Sequence, residues 1–158
     1  MATIQPIVPC LWFDHQAEEA AQYYVSVFPD SEIHEVVRYP AESRREEGMV
    51  LTVAFTANGS RFLALNGGPQ FTFCEAVSFQ VFCPDQATID HYWETLGAGG
   101  EYSMCGWLKD RYGLSWQIVP EDTGALLGGD GTPESQARVN AALMKMTKID
   151  IDELIRAR

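Results

Sequence analysis

The fold is decided by residues 9–28, PCLWFDHQAEEAAQYYVSVF, in which a strand-forming segment leads directly into a helical one. The apolar run from Ile4 to Phe13 predicts the first strand. Asp14 can then cap a helix, because its carboxylate can accept the free amide hydrogens of the first turn. Pro29 ends that helix. Its apolar side chains fall on one face: Ala17, Ala20, Ala21, Tyr24 and Phe28.

The same order of signals begins again roughly seventy residues later, which indicates a duplicated unit. Asp14 and Asp85 are each followed by Gln-Ala and then by an aromatic pair, Tyr23-Tyr24 in one case and Tyr92-Trp93 in the other. Strand-forming segments follow each predicted helix, and Asn58-Gly59 between two apolar runs predicts a hairpin. We therefore predict an α+β fold, in which residues 1–120 form a single domain of two βαβββ modules, about residues 1–68 and 75–120.

The last part of the chain has a different character. Thr132-Pro133-Glu134 is typical of a helix start with proline at the first position, and a short final helix is predicted from Asp150. Val139, Leu143 and Met146 follow at helical spacing. We interpret residues 121–158 as a helical tail that covers an edge of the domain or a neighbouring subunit.

Composition excludes several classes of partner. The 22 acidic and 11 basic side chains give a net charge of -11, which repels nucleic acid and anionic lipid. No apolar run approaches the roughly 18 residues that span a bilayer, and the N-terminus lacks the features of a signal peptide. The cysteines form no CxxC pair, so we expect reduced thiols in a cytoplasmic protein without a zinc site.

Strand alternation predicts a polar face that could hold a ligand. Ser78, Gln80 and Gln117 oppose apolar neighbours on their strands, and Asn66 opposes Leu63 and Leu65. The alternative is a face that meets solvent, but such a face would usually carry Lys or Glu rather than short uncharged side chains. We therefore expect these four residues to orient a small polar group by hydrogen bonds.

Several motifs resemble the PhnB-like family, also called the 3-demethylubiquinone 3-methyltransferase-like domain, of the vicinal oxygen chelate superfamily. They are residues 9–28, 65–69 (LNGGP), 76–81 (AVSFQV), 105–113 (CGWLKDRYG), 115–120 (SWQIVP) and 148–150 (KID). The resemblance implies the fold of glyoxalases, bleomycin-resistance proteins and dihydroxybiphenyl dioxygenases, and a homodimer. It also implies that Cys105 and Trp107 point into the concavity.

The metal of that superfamily lacks ligands in this sequence. The resemblance places the metal-binding positions near Ile7, Asn66, Ala76 and Gln117, none of which is ionisable. The three histidines, His15, His34 and His91, fall on helices or in a strand of the first module and are expected to be surface or boundary residues. We predict neither a metal nor another cofactor, since Gly128-Gly129-Asp130-Gly131 lacks the flanking strand and crossover of a nucleotide-binding turn.

The leading hypothesis is therefore a metal-free small-molecule binder of the bleomycin-resistance type. The alternatives are a lyase or isomerase of the same fold, a methyltransferase as the family label suggests, and a domain that mainly mediates oligomerisation. Cys105 could act as a nucleophile, but no histidine is predictably adjacent, so an inert thiol is favoured.

Overall fold

The computed structural model describes residues 3–127 and 131–158, and the chain divides into two units, Met1–Thr72 and Phe73–Arg158. The fold is α+β, and each unit contains one four-stranded mixed sheet. Among the described residues, no helix combines the length and the apolar character that crossing a membrane requires.

The first unit has the predicted order strand, helix, strand, strand, strand. Its sheet order is β1-β4-β3-β2, with β1 parallel to β4 and the other pairs antiparallel. Asn58 and Gly59 both have positive φ, as a tight hairpin turn between β3 and β4 requires. The elements are β1 Cys10–Phe13, α1 Ala17–Val27, β2 Glu32–Arg38, β3 Val50–Ala57 and β4 Ser60–Asn66.

The second unit repeats this arrangement with sheet order β5-β8-β7-β6, and β5 runs parallel to β8. Helices then follow the last strand, and α4 and α5 begin where Thr132 and Asp150 predicted them. The one-turn helix α3 was not predicted. The elements are β5 Phe79–Cys83, α2 Gln86–Gly97, β6 Glu101–Tyr102, β7 Trp107–Lys109, β8 Ser115–Pro120, α3 Thr123–Leu126, α4 Pro133–Leu143 and α5 Ile151–Ala157.

The first strand is much shorter than predicted. Only Cys10–Phe13 pairs with β4, and the segment before it is solvent-exposed, with Ile4 at 82% and Ile7 at 93%. Pro6 and Pro9 lack the N–H that a sheet ladder needs, so the apolar run before Cys10 cannot continue the ladder regularly.

The helix starts of the two units differ, although the sequence predicted an aspartate cap for both. Asp85 accepts the N–H of Thr88 at 2.8 Å, as expected for the start of α2. Asp14 does not cap α1. Its carboxylate lies 3.3 Å from Nη1 of Arg45, and Gln16 occupies the cap position without a side-chain hydrogen bond.

The two faces of β4 are the reverse of those expected. Ala64 is fully buried, and Tyr24 of α1 stacks on Phe55 of β3, so this face packs against the helix. Leu63 and Leu65 are only partly buried and lie on the opposite face, as does Trp12. The small Ala64 permits close approach of the alanine-rich face of α1, which a leucine would obstruct.

Candidate functional site

The second unit contains a cavity of about 220 Å³ between one face of its sheet and the C-terminal tail, residues 121–158. We call it the apolar cavity. Four residues predicted as ligand-binding line it, namely Gln80, Cys105, Trp107 and Gln117. Its remaining walls are Val119, Pro120, Thr123, Leu126, Leu127, Leu143, Ile149 and Leu154.

A chain of side-chain hydrogen bonds forms the polar part of the apolar cavity. Gln80 on β5 lies beside Gln117 on β8, and its Nε2 donates to Gln117 Oε1 at 3.3 Å. Gln117 Nε2 in turn donates to Ser78 Oγ at 2.8 Å. Ser78 therefore orients Gln117 without lining the cavity itself. Each amide keeps a further hydrogen-bonding group for a ligand, because a primary amide carries two N–H donors and an oxygen with two lone pairs.

The tail is attached to the rest of the second unit by backbone hydrogen bonds. The N–H of Cys105 donates to the carbonyl of Met146 at 2.9 Å, and that of Gly106 donates to the carbonyl of Thr147 at 2.7 Å. These bonds hold Ile149 in the position where it lines the cavity.

Gln86 of α2 provides a second attachment. Its side-chain amide donates to the carbonyl of Ile149 at 3.0 Å and accepts the N–H of Ile151 at 2.9 Å. Lys148 also pairs with Asp90 of α2 at 2.6 Å. The wall contributed by the tail is thus fixed on two sides.

Gly106 is required where the tail meets the sheet. Its φ is +80°, and a Cβ at this position would lie 2.6 Å from the carbonyl oxygen of Ile118 and 2.9 Å from Cδ1 of Ile149. No side chain fits there without displacing backbone. The glycine of the Cys-Gly-Trp motif therefore permits the close approach that completes the apolar cavity.

Cys105 carries the one ionisable group among the described residues that line the apolar cavity. Its Sγ lies 3.5 Å from the carbonyl oxygen of Leu143 and 3.8 Å from Sδ of Met144. Neither neighbour can act as a base toward the thiol. General acid–base chemistry thus has no imidazole or carboxylate among these lining residues.

Asn66 does not occupy the face on which the sequence placed it. It is 1% exposed at the end of β4, on the side packed against α1. Its Oδ1 accepts the N–H of Ala17 at 2.8 Å, and its Nδ2 donates to the carbonyl of Val50 at 3.0 Å. The amide serves the fold of the first unit, so the expected ligand-facing orientation was wrong.

The metal expected of the wider superfamily does not fit these residues. Ile7 and Ala76 lie outside the strands, and the amides of Asn66 and Gln117 already have protein partners. Across residues 3–127 and 131–158, no group of three His, Cys, Asp or Glu side chains could hold a metal ion. Of the glycine-rich segment considered for a nucleotide, residues 128–130 lie outside the described residues.

Asp110 in the turn after β7 is buried, at 2% exposed. Its carboxylate accepts the N–H groups of Tyr112 and Leu114, and its Oδ2 accepts Nε1 of Trp116 at 2.9 Å. Lys109 next to it pairs with Glu75 at 2.7 Å. The two neighbouring residues of the motif therefore have different roles. Lys109 forms an exposed ion pair, and Asp110 stabilises a buried turn.

Comparison with known proteins identifies the family. The family described as 3-demethylubiquinone-9 3-methyltransferase matches residues 5–119, so the tail lies outside the match. The structure of a PhnB protein from Bacillus cereus is 35% identical, with a TM-score of 0.66, and the match covers 73% of this chain and 99% of that one. Among curated proteins, none matches this sequence.

A more distant structure shares the architecture. Protein PA1353 from Pseudomonas aeruginosa is 16% identical with a TM-score of 0.60, and the match covers 74% of this chain and 98% of that one. A glyoxalase/bleomycin resistance protein/dioxygenase from Alicyclobacillus acidocaldarius is 12% identical with a TM-score of 0.43, covering 72% and 91%. The resemblance seen in the sequence is confirmed, and the chain belongs to the 3-demethylubiquinone-9 3-methyltransferase family.

Proposed function

We propose that this protein binds a small, largely apolar molecule in the apolar cavity, without a metal and without catalysing a reaction on it. The lining carries the proposal, because it combines the glutamine pair with aliphatic side chains and offers no carboxylate, imidazole or ammonium among the described residues. Such a site binds a ligand by excluding water from its apolar surface and by forming hydrogen bonds with its polar groups. This is the mode of a bleomycin-resistance type binder rather than of an acid–base enzyme.

The lining also favours one class of ligand. A volume of about 220 Å³ accommodates a ring with a few substituents, and Leu126, Leu143 and Leu154 favour an apolar body. Gln80 and Gln117 can meet either a donor or an acceptor, since the amides can turn to present nitrogen or oxygen. A substituted aromatic ring or a quinone, with a carbonyl or hydroxyl group placed against the glutamine pair, fits this lining.

The description of the family supports a second candidate, methyl transfer to a quinone-like acceptor. It would use the same apolar body and the same glutamine pair to hold the acceptor. The two candidates differ in whether S-adenosylmethionine binds. Calorimetry with S-adenosylmethionine, alone and with a short-chain quinone present, separates them. Methyl transfer requires that the protein binds the methyl donor, which calorimetry detects as heat of binding.

We also propose a homodimer in the cytoplasm. Support for the dimer comes from the exposed apolar side chains of Ile4, Ile7 and Val8, which precede the edge strand β1. The four cysteines are all free thiols, which suits a reducing compartment. Light scattering on the purified chain tests the dimer, and a mass equal to one chain over the working concentration range would contradict it.

The experiment that tests the binding proposal is a thermal-shift and calorimetric screen of substituted phenols, naphthols and short-chain quinones. Gln117→Leu keeps the size of the side chain and removes the amide, so we expect the affinity of a hit to fall about tenfold, or ~1.4 kcal/mol. Gln22→Leu on the exposed side of α1 is the matched control and should leave the affinity unchanged. Near-stoichiometric metal in the purified protein, lost together with an activity on chelation, would overturn the proposal.

A further inference from the structure

A second cavity in the same unit has a different chemical character. It measures about 170 Å³ and is lined mainly by polar and charged side chains, so we call it the polar cavity. Trp107 borders both cavities. The polar lining consists of Glu75, Glu101, Tyr102, Ser103, Lys109 and Ser115.

Ser115 is the unusual member of this set. It begins β8 and is 1% exposed, yet its Oγ has no hydrogen-bond partner within the described part of the chain. A buried hydroxyl without a partner destabilises the folded state, and native proteins usually satisfy such groups. An unsatisfied hydroxyl that lines a cavity indicates a partner that the chain itself does not supply.

The strand register brings charged groups to the same place. Lys109 on β7 lies directly opposite Ser115, and Glu101 on β6 lies directly opposite Lys109. Because directly opposed residues share a face of the sheet, the three side chains form a row across three strands.

Glu75 completes this row from the segment before β5. Its Oε1 lies 2.7 Å from Nζ of Lys109, and this hydrogen bond lowers the pKa of Glu75 and raises that of Lys109. Both groups are therefore charged at neutral pH. The ammonium group keeps further N–H donors, and both carboxylates keep acceptor oxygens for a ligand.

These groups discriminate between ligand classes. An anion would be repelled by Glu75 and Glu101, and a cation would compete with the ammonium group of Lys109. A neutral molecule with several hydroxyl groups meets neither obstacle, since each hydroxyl can donate to a carboxylate and accept from Ser115 or Lys109.

Tyr102 borders the polar cavity, but its ring lies on the opposite face of the sheet from Glu101, Lys109 and Ser115. Its ring stacks on Trp93 with centroids 4.9 Å apart, and the residue remains 51% exposed. A side chain at Gly97 would overlap this ring, with Cβ only 2.1 Å from Cε1, so the ring is held in place. The ring therefore belongs to the packing of β6 against α2, and the polar row on the other face is what a ligand meets.

We propose that the polar cavity binds a small, neutral polyhydroxylated molecule, with Ser115, Lys109 and Glu101 contacting its hydroxyl groups. This site is separate from the apolar cavity and does not depend on the function proposed for it. It lies on the same sheet face, on the other side of Trp107.

The first test concerns the free protein. Ser115→Ala removes the unsatisfied hydroxyl, so we expect the melting temperature to rise by about 2–4 °C. Ser103→Ala changes an exposed serine of the same cavity and should shift the melting temperature by about 1 °C or less. A lower melting temperature for Ser115→Ala would show that the hydroxyl has a structural partner and would overturn the proposal.

The second test measures binding to the full chain. Titration with glycerol, myo-inositol and D-glucose should give saturable shifts of the backbone amide resonances of Lys109 and Ser115, with Kd of about 10 mM or tighter for at least one of them. Ser115→Ala should weaken that binding at least about threefold, whereas Gln117→Leu in the apolar cavity should not change it. The proposal fails if no polyol saturates, if Ser115→Ala binds equally well, or if a crystal structure soaked in these polyols shows only an ordered water on Ser115.

Discussion

The side-chain oxygen of Asn66 accepts the backbone N–H of Ala17 at 2.8 Å, so the last residue of β4 fixes the start of α1. The first N–H groups of a helix have no partner within the helix, and an amide from a neighbouring strand satisfies one of them here. The other half of the same amide donates to the carbonyl of Val50. One buried side chain thus joins β4, β3 and α1 within the first unit.

From this arrangement we expect Asn66→Ala to lower the free energy of unfolding by about 2–4 kcal/mol, because it leaves a buried donor and a buried acceptor unpaired. Urea denaturation followed by circular dichroism measures this loss. Asn140→Ala on the exposed side of α4 is the control, and it should change stability by less than about 0.5 kcal/mol. Equal stability of the two variants would contradict the role assigned to Asn66.

Gly106 allows a second prediction, which separates backbone strain from steric overlap. Gly106 and Gly113 both have positive φ, +80° and +84°, but a Cβ at Gly113 would meet nothing within 4 Å. We expect Gly113→Ala to cost about 1 kcal/mol of stability from strain alone. Gly106→Ala should cost about 3 kcal/mol or more, since it also forces the tail or β8 to move. Chemical denaturation of both variants makes the comparison, and equal losses would show that the tail does not approach Gly106 closely.

The duplicated pattern of the sequence predicted the order of elements well. In each unit the spacing of apolar residues changes from that of a strand to that of a helix and back, and turn signals separate the strands. The alternation along β8 correctly placed Gln117 toward a cavity, where apolar Trp116 and Ile118 are buried on the other side. Alternation itself only sorts side chains into two sets. Which set meets the helix depends on packing, and polarity is the usual guide to it.

That guide failed for β4, where leucines alternate with Ala64 and Asn66. Ala64 packs against the alanine face of α1, and Asn66 is polar yet buried because it binds the helix start. Hydrophobicity alone favours the opposite assignment. The leucines of the tail were also missed as cavity residues, since helical spacing predicts a helix but not the surface that the helix covers.

The ion pair between Lys148 and Asp90 predicts a dependence of stability on pH. Hydrogen bonds from Lys148 and Gln86 lower the pKa of Asp90 below its ordinary value of 3.8. A carboxylate with a depressed folded-state pKa stabilises the folded chain above its unfolded pKa, and this contribution is lost as the pH falls through the lower, folded-state value. The attachment of the tail to α2 should therefore weaken only below pH 3.8.

Asp90→Asn provides the measurement, because it removes the titrating group and keeps the size of the side chain. The melting temperature of the variant should lie below that of the parent chain at neutral pH, and the difference should shrink toward zero below pH 3.8. High salt should also reduce the difference, since both partners are partly exposed. A difference that stays constant down to pH 3 would mean that the ion pair contributes nothing.

Three of the four free thiols should differ in their reactivity toward iodoacetamide, and the differences report on the apolar cavity. Cys74 is exposed and should react first, whereas Cys83 is fully buried, and desolvation raises its pKa to about 11. At pH 8 only about one Cys83 thiol in a thousand would be ionised, so it should react only on unfolding.

Cys105 lines the cavity and should react at an intermediate rate that falls when a phenol or quinone ligand occupies the site. Peptide mapping by mass spectrometry resolves the sites, with Cys74 as the internal control. If a saturating ligand leaves the labelling of Cys105 unchanged relative to Cys74, the ligand does not occupy the apolar cavity.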